Sequence, residues 1–312
     1  MRIVRDYQFV EPEDRGAVAA IGNFDGVHLG HQAVLDMAGK IAAQAKAPLG
    51  VLTFEPHPRE YFAPDAPTFR LMNAAAKANR LQKIGVQTLY QLNFNAALSG
   101  LSARDFAQRV IAEGLGLNHV LVGSDFCFGK GRAGTAEMLQ AFGDEFGFGV
   151  TIADLIRDGD TVYSSTAIRD ALTDGRPQDA TKMLGHYHRI EGEVLHGDAR
   201  GRDLGYPTAN MSLDGLHKPK YGVYAVLVDV LTGPHKGTYH GVSSLGERPT
   251  FGVNIPNLET FIFDFSGDLY GAELSIALVD FQRPELTFDD LDALIEQMDA
   301  DSAQARATLA SL

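Results

Sequence analysis

Hydrophobic and polar positions follow different patterns in the two halves of the chain. From residue 17 to residue 184, short apolar runs alternate with segments of helical periodicity, which predicts strand-helix units and a doubly wound α/β domain with a parallel sheet. The five predicted strands are 17–24, 49–54, 88–93, 119–123 and 150–155. The predicted amphipathic helices are 32–45, 73–84, 102–114, with Ser102 as N-cap, and 135–146.

After residue 185 the apolar runs lie closer together, and Gly, Pro and Asn separate them. Strand-like runs cover residues 191–195, 223–230, 238–243, 260–265 and 273–281. Such runs favour a small antiparallel β-barrel, and an acidic amphipathic segment over 289–310 predicts a C-terminal helix. The change of pattern predicts two domains, 1–185 and 186–312.

Composition narrows the classes of partner. A length of 312 residues fits two domains, and a net charge of -13 disfavours nucleic-acid partners, whereas small phosphorylated ligands stay compatible with it. Cys127 is the single cysteine, so an intrachain disulfide is excluded. With no apolar run long enough for a leader or a membrane span, we expect a cytoplasmic protein without a membrane partner. The sequence leaves oligomeric state open and is compatible with a weak homo-oligomer.

A segment with two histidines follows the first predicted strand and opens the first predicted helix. It reads GNFDGVHLGH over residues 22–31. His28 and His31 can donate to phosphate oxygens at a helix N-terminus, and Gly30 lets a phosphate approach the backbone. The segment therefore predicts a triphosphate site. Incidental surface histidines and metal ligands are the alternatives, and zinc is disfavoured because no cysteine cluster accompanies the histidines.

Two further segments concern the same half. Residues 163–169 read YSSTAIR, where Ser164 fits an N-cap and Arg169 a solvated helix residue. Residues 129–134 read GKGRAG and match a dinucleotide fingerprint, with Asp154 twenty residues further on. The match is weak because residues 124–128 separate it from the preceding strand. We interpret it as a flexible basic loop bordering the nucleotide site.

The most specific motif lies in the second half, where residues 196–210 read HGDARGRDLGYPTAN. It resembles the riboflavin kinase signature, a glycine-rich arch followed by Pro-Thr-Ala-Asn. HLGH and SSTAIR are similar to elements of nucleotidyltransferases that adenylate small phosphorylated substrates. Together they resemble the bacterial bifunctional riboflavin kinase and FAD synthetase family over nearly the whole chain. Further matches, in the family's order, are TFEPHP (53–58), VGSDF (122–126), GVYA (222–225), GERPTF (246–251), LE (258–259) and LYG (269–271).

The resemblance implies two reactions that consume ATP with Mg2+. The barrel would phosphorylate riboflavin to FMN, and the parallel-sheet domain would adenylate FMN to FAD with release of pyrophosphate. In the second reaction His28 and His31 would be catalytic, and the ATP-binding residues would be Asn23, Gly26, His28, Gly30, His31, Ser164, Ser165, Thr166 and Arg169. The flavin would contact Phe54, Phe62, Asp125 and Phe128, although a phenylalanine is more often plain core.

For the kinase, the resemblance assigns Glu259 as the base, because a ribityl hydroxyl is a poor nucleophile. The FMN phosphate is already ionised and needs no base. Kinase ATP binding is assigned to Gly197, Ala199, Gly201, Thr208 and Asn210, and Mg2+ binding to Thr208 and Asn210. Turn formation after Pro207 is the alternative for the last two.

The sequence departs from the family at two positions. Cys127 stands where Arg is common, and Phe261 stands where His is common. Two other functions stay open: an adenylyltransferase for another substrate with an unrelated barrel, and a flavin-binding regulator without turnover.

Overall fold

The computed structural model describes residues 1–154, 157–158, 161–196, 205–250, 253–288 and 290–312. The chain forms two compact units. The first comprises Met1–Pro67 and Lys77–Tyr163, and the second comprises Thr68–Ala76 and Ser164–Leu312. The boundary between residues 185 and 186 stays a prediction about where the two activities divide.

The first unit alternates strands with helices. Its strands are β1 (Arg2–Val4), β2 (Val18–Ile21), β3 (Leu49–Glu55), β4 (Thr88–Asn93), β5 (His119–Gly123), β6 (Cys127–Phe128), β7 (Gly134–Thr135), β8 (Gly149–Ala153), β9 (Arg157–Asp158) and β10 (Thr161–Val162). The helices in this part of the chain are α1 (Leu29–Ala45), α2 (Pro58–Phe62), α3 (Ala74–Lys83), α4 (Ala96–Ser99), α5 (Ala103–Asp105), a π-helix (Phe106–Leu115) and α6 (Ala136–Phe146). Short 3-10 turns occupy Pro12–Asp14 and Lys130–Arg132.

The large sheet of the first unit has the strand order β1-β4-β3-β2-β5-β8, and every pair is parallel. This confirms the doubly wound α/β prediction. The sheet has six strands where the sequence predicted five, because the short strand β1 pairs with β4 at the edge. The order reverses at β2, and in such sheets ligands bind at the carboxyl ends of the strands at that point.

The segment that joins β2 to α1, residues 22–28, is called here the β2–α1 loop. The predicted strand 17–24 was too long, because Phe24 and Val27 take φ values of 51° and 45° that no strand accommodates. Ser102 is the N-cap that the sequence predicted, since its Oγ accepts from the Asp105 N–H at 3.0 Å. The helix after Asp105 is a π-helix, where the sequence predicted α-helix.

The second unit is mainly antiparallel. Its strands are β11 (His188–Glu193), β12 (Thr208–Ser212), β13 (Gly222–Val230), β14 (Gly237–Thr250), β15 (Val253–Ile262) and β16 (Glu273–Arg283). Its helices are α7 (Ser165–Thr173), α8 (Pro177–Leu184) and α9 (Leu291–Leu309). The strand order is β11-β16-β13-β14-β15-β12, and a bridge between Leu195 and Asn210 joins the end of β11 to β12. The sheet therefore closes on itself, which confirms the predicted barrel, although β12 was not predicted.

Two apolar clusters stabilise the barrel. Its interior holds alternate strand residues such as Tyr224, Val226 and Leu258, all fully buried. Outside the barrel, Ala305 and Leu309 of α9 pack against buried outward-facing strand side chains. The C-terminal helix thus covers part of the outer surface of the sheet.

Residues of the Thr68–Ala76 segment pair with the barrel part of their own unit. Thr68 Oγ1 donates to the Leu216 carbonyl at 2.6 Å, and Asn73 Nδ2 donates to the Glu191 carbonyl at 2.8 Å. These bonds explain why the segment belongs to the second unit. Among the helices that the structure describes, none is long and apolar enough to cross a membrane.

Candidate functional site

The β2–α1 loop holds an unusual backbone conformation at the carboxyl end of β2. Phe24 and Val27 have positive φ, which costs about 1–3 kcal/mol for a residue other than glycine and persists only where neighbours enforce it. Gln32 Nε2 donates to the Val27 carbonyl at 2.8 Å, and Thr53 Oγ1 donates to the Asn23 carbonyl at 3.2 Å. Side chains of α1 and β3 therefore fix the loop.

His28 and His31 form a stacked pair at the start of α1. Their ring centroids lie 3.7 Å apart at an interplanar angle of 20°. His28 is the N-cap of α1, and its Nδ1 accepts from the His31 backbone N–H at 3.3 Å. A neutral His28 thus carries its proton on Nε2, which leaves that nitrogen to donate. A Cβ on Gly30 would lie 3.1 Å from the His28 Cε1 and Nδ1 atoms, so glycine makes room for this imidazole.

Burial makes both histidines weak bases. His28 is 6% exposed, and burial lowers its pKa to about 4. Burial also lowers the pKa of His31 well below its ordinary value, with smaller contributions from the neighbouring His28 and Lys77 charges. Both rings are therefore uncharged near neutral pH and can bind an anion as N–H dipoles, not as cations. His31 Nδ1 is buried without a hydrogen-bond partner among the described residues, so it stays available to a ligand.

Lys77 lies beside the histidine pair and was missed by the sequence analysis. Its side chain is 3% exposed, and its Nζ donates to the Asn23 carbonyl at 3.2 Å and to Thr53 Oγ1 at 3.3 Å. Nζ also lies 3.7 Å from Glu55 Oε2. A lysine on an amphipathic helix is usually solvated, so no sequence pattern singles Lys77 out.

A row of phenylalanines extends from the exposed α2 into the core of the first unit. Ring centroids are 5.8 Å apart for Phe62 and Phe94, 5.7 Å for Phe94 and Phe54, and 6.3 Å for Phe54 and Phe106. Phe128 continues the row 5.7 Å from Phe106. Phe62 is 68% exposed whereas Phe128 is 6% exposed, so the first has surface for a flavin ring and the second is accounted for by core packing.

Asp125 and Cys127 lie in the segment after β5. Asp125 is exposed, and Cys127 Sγ lies 3.6 Å from the Asp125 carbonyl oxygen.

Residues 129–134 link β6 to β7, which pair antiparallel. They therefore form a hairpin turn and lack the strand-to-helix geometry that a dinucleotide fingerprint requires.

The SSTAIR residues belong to the second unit, where they open α7. Ser164 Oγ accepts from the Ala167 N–H at 3.2 Å, which makes Ser164 the N-cap. The Arg169 guanidinium donates to the Phe69 carbonyl at 3.3 Å and lies 5.6 Å from the centre of the Phe69 ring. Ser165 is half-buried and Thr166 is exposed.

The predicted kinase residues meet on the outer face of β12 and β15. Asn210 lies directly opposite Glu259 in the strand register. Asn257 Nδ2 donates to Asn210 Oδ1 at 3.0 Å and to Glu259 Oε1 at 3.4 Å, a link that the sequence did not reveal. Thr208 and Asn210 alternate with core residues of β12, so both side chains share this face. The structure thus brings Thr208, Asn210 and Glu259 together.

These side chains offer oxygen atoms of the kind that a hard divalent cation prefers. Within the described ranges no group of three or more His, Cys, Asp or Glu side chains could hold a metal. Gly197, Ala199 and Gly201 lie outside the described residues. Phe261 packs 4.8 Å from the Tyr206 ring, so an aromatic contact occupies the position where the family commonly has His.

Comparison with known proteins agrees with this division of chemistry. Residues 10–167 match the family model for FAD synthetase, and residues 184–309 match that for riboflavin kinase. A bifunctional riboflavin kinase/FMN adenylyltransferase from Pseudomonas fluorescens is 41% identical, with 99% of this chain and 98% of the relative covered. One from Bacillus subtilis is 35% identical, with 98% and 96% covered.

A solved structure shares the whole architecture. It is described as a macrolide-efflux protein from Streptococcus pneumoniae, is 32% identical, has a TM-score of 0.82, and covers 97% of this chain and 98% of its own. Both family models and the full-length relatives agree on two transferase activities. The chain belongs to the family of bifunctional riboflavin kinase/FMN adenylyltransferases, enzymes that use ATP to make FMN from riboflavin and FAD from FMN.

Proposed function

We propose that the two reactions use separate sites, with adenylyl transfer at the β2–α1 loop and phosphorylation on the β12–β15 face. The stacked pair of His28 and His31 at a helix N-terminus is the observation on which the first assignment depends. The register that sets Asn210 opposite Glu259 supports the second. In this proposal, residues 1–185 form the FMN adenylyltransferase domain and residues 186–312 form the riboflavin kinase domain.

Adenylyl transfer joins an FMN phosphate oxygen to the α-phosphorus of ATP and breaks the bond to the bridging oxygen of the leaving pyrophosphate. The FMN phosphate has a second pKa of about 6, so the nucleophile is ionised without a base. His28 Nε2–H and backbone amides at the start of α1 suit the ATP phosphates, with Asn23, Gly26, Gly30 and His31 around them. The roles of Ser164, Ser165, Thr166 and Arg169 in ATP binding rest on the family resemblance.

The flavin ring is assigned to the exposed end of the phenylalanine row. Phe62 offers an open aromatic face, and Phe54 lies two rings further in, behind Phe94. Asp125 is exposed and free to reach a polar edge of the flavin, whereas Phe128 supports the row from the core. This arrangement would place an aromatic ligand by stacking.

In the kinase reaction, a ribityl hydroxyl oxygen bonds to the γ-phosphorus of ATP and ADP leaves. Glu259 accepts the hydroxyl proton, and Asn257 holds its carboxylate through the 3.4 Å hydrogen bond. Thr208 and Asn210 are the proposed Mg2+ ligands, and the metal supplies charge neutralisation and orientation of the phosphates. Gly197, Ala199 and Gly201 are assigned to the phosphates by resemblance.

The remaining partners follow from charge and composition. A net charge of -13 disfavours nucleic acids and anionic membrane surfaces as partners, and the single cysteine suits the cytoplasm. The ligands are riboflavin, FMN, FAD and ATP. A weak homo-oligomer is compatible with this proposal.

Glu259→Gln tests the kinase assignment. Loss of the base should lower FMN formation from riboflavin by about 10²–10⁴-fold, while FAD formation from supplied FMN stays within twofold. Separate assays with riboflavin and with FMN measure the two steps. Glu273→Gln, at the exposed start of β16, is the matched control and should leave both rates unchanged. Equal loss of both activities in Glu259→Gln contradicts the two-site proposal.

His28→Gln tests the adenylyltransferase assignment. Loss of the imidazole should lower FAD formation from FMN by about 10²–10³-fold and leave FMN formation unchanged. His119→Gln is the control, because His119 lies at the amino end of β5, whereas the histidine pair follows the carboxyl end of β2. Normal FAD formation by His28→Gln would show that ATP is bound elsewhere.

A further inference from the structure

Lys77 is a buried cation at the carboxyl ends of the two central strands. With only 3% of its side chain exposed, its ammonium group has lost most of its hydration. Such a loss is costly unless the charge has hydrogen-bond acceptors or an opposite charge close by. Here the acceptors include the Asn23 carbonyl and Thr53 Oγ1, and a carboxylate oxygen of Glu55 lies 3.7 Å away.

These contacts couple Lys77 to the β2–α1 loop. Asn23 is the second residue of that loop, and its carbonyl accepts from both Lys77 and Thr53. The next residue, Phe24, has a φ of 51°, so the loop leaves β2 in a conformation that its own sequence does not favour. Lys77 thus helps to hold the loop that ends at His28.

The charge of Lys77 complements two uncharged imidazoles. Near neutral pH His28 and His31 offer N–H dipoles, while the Lys77 amine lies in a poorly hydrated place beside Glu55. Its effect reaches His31, since the ammonium is one of the groups that lower the pKa of that ring. A fixed positive charge in such surroundings stabilises incoming phosphate groups more than an exposed one would.

We infer that Lys77 is a positioning residue for adenylyl transfer, which fixes the β2–α1 loop through Asn23 and holds a positive charge beside the histidine pair. This inference rests on the proposed ATP site at His28 and His31. Lys77 acts through these neighbours and not on the reacting atoms.

Lys77→Met and Lys77→Arg test the inference in the full chain. Methionine preserves most of the stem but removes the charge, and Glu55, whose side chain is 21% exposed, keeps access to water. In Lys77→Met, kcat/KM for ATP in FAD formation should fall tenfold or more, with riboflavin kinase activity within twofold of wild type. Lys77→Arg should recover at least a third of the wild-type value. Lys83→Met, at the exposed end of the same helix, should change neither.

An NMR titration of the His31 ring separates positioning from simple support of the fold. Removal of the neighbouring cation should raise the pKa of His31 in Lys77→Met, whereas Lys77→Arg should leave it low. FAD formation within twofold of wild type in Lys77→Met overturns the inference. So does a loss of activity without a change in the His31 titration, or one that arginine does not relieve.

Two further outcomes keep the test decisive. If Lys77→Met does not fold, the inference stands or falls on Lys77→Arg, which must retain at least a third of wild-type kcat/KM for ATP. If His28→Gln forms FAD normally, the proposed ATP site is wrong whatever Lys77 does. Failure of the Lys77 variants alone leaves that site intact and removes only the positioning role.

Discussion

In the proposed function, the two units present different chemical groups to ATP. The first unit offers uncharged imidazoles, a helix N-terminus and a buried ammonium group at the carboxyl edge of a parallel sheet. The second unit offers a carboxylate, an amide and a hydroxyl on the outer face of two antiparallel strands. The difference matches the nucleophiles, because an FMN phosphate arrives ionised while a ribityl hydroxyl must lose a proton. The form of the nucleophile thus decides which unit needs a base.

The largest expected effect on stability concerns the barrel alone. Arg283 and Asp301 form a bidentate pair at 2.8 and 2.6 Å, with side chains 18% and 7% exposed. Asp301→Ala leaves the guanidinium without its partner and should lower the free energy of unfolding of the second unit by about 3–5 kcal/mol. Urea titration of riboflavin kinase activity measures this.

Unfolding of the first unit, read by hydrogen exchange of peptides from its parallel sheet, serves as the internal reference in the same samples. It should keep its urea midpoint in Asp301→Ala, because the Arg283–Asp301 pair lies within the second unit. Asp292→Ala, exposed in the first turn of α9, is the matched control. A loss below 1 kcal/mol, or an equal loss of stability in both units, would contradict the assignment of this pair to one unit.

A smaller effect should appear in the pH dependence of folding stability, where a different buried histidine contributes in each unit. Burial lowers the pKa of His28 to about 4 in the first unit and the pKa of His188 to about 3 in the second, where nearby His217 and His186 add to the effect. An unfolded histidine binds its proton near pH 6.5, so the unfolded state gains protons first as pH falls. The contribution of each neutral ring to the free energy of unfolding is therefore fully present above pH 6.5. It is lost as the pH falls toward the pKa that the histidine has in the folded protein.

For either histidine the expected loss between pH 7 and pH 5 is about 2 kcal/mol. His28→Gln should reduce the pH dependence of the first unit only, by about this amount, because His31 still contributes, and His188→Gln should reduce that of the second unit only. Urea unfolding read by hydrogen exchange of peptides from each unit measures it, after correction for intrinsic exchange rates. An unchanged pH dependence in His28→Gln would show that its imidazole is not held neutral.

The smallest expected effect tests the geometry of the histidine pair. A Cβ at Gly30 would come within 3.1 Å of the His28 ring, so Gly30→Ala should displace the imidazole and lower adenylyl transfer by roughly tenfold, about 1.4 kcal/mol. Riboflavin kinase activity in the same protein should not change. Gly39→Ala is the matched control in the same helix, where the nearest atom lies 3.9 Å away.

Gly39→Ala should preserve both activities and stabilise α1 by roughly 0.5–1 kcal/mol, because alanine favours a helix interior. If Gly30→Ala forms FAD at the wild-type rate, the glycine is not needed to seat His28. Steady-state assays with FMN and with riboflavin as substrates distinguish the two results.

Much of the first unit followed from periodicity, because buried parallel strands appear as continuous apolar runs. Strand β1 was missed because three residues are too short to show a period, and its place depends on pairing with β4. The π-helix was predicted as α-helix because Phe106, Val110 and Leu115 repeat at intervals of four and five residues, which both helix types place on one side. Local spacing could not separate the two.

The barrel was harder to predict from the sequence, and the strand that the prediction missed, β12, carries part of the proposed kinase site. Polar Thr208 and Asn210 interrupt the apolar pattern of β12, so the strand does not appear as an apolar run. Their place on the outer face depends on pairing with β15. Their assignment came from family resemblance and not from periodicity. Neither periodicity nor family resemblance pointed to Lys77, because its burial depends on tertiary packing of α3 beside Asn23 and Thr53. Sequence thus predicted the histidines but not the cation beside them.

The most direct test of two separable sites is FAD formation from riboflavin by a mixture of the two variant proteins. Alone, Glu259→Gln should stop before FMN, and His28→Gln should accumulate FMN without FAD. Mixed in equal amounts with ATP and Mg2+, they should restore FAD formation, because one variant supplies the FMN that the other adenylates. A mixture that forms no more FAD than either variant alone would contradict the account.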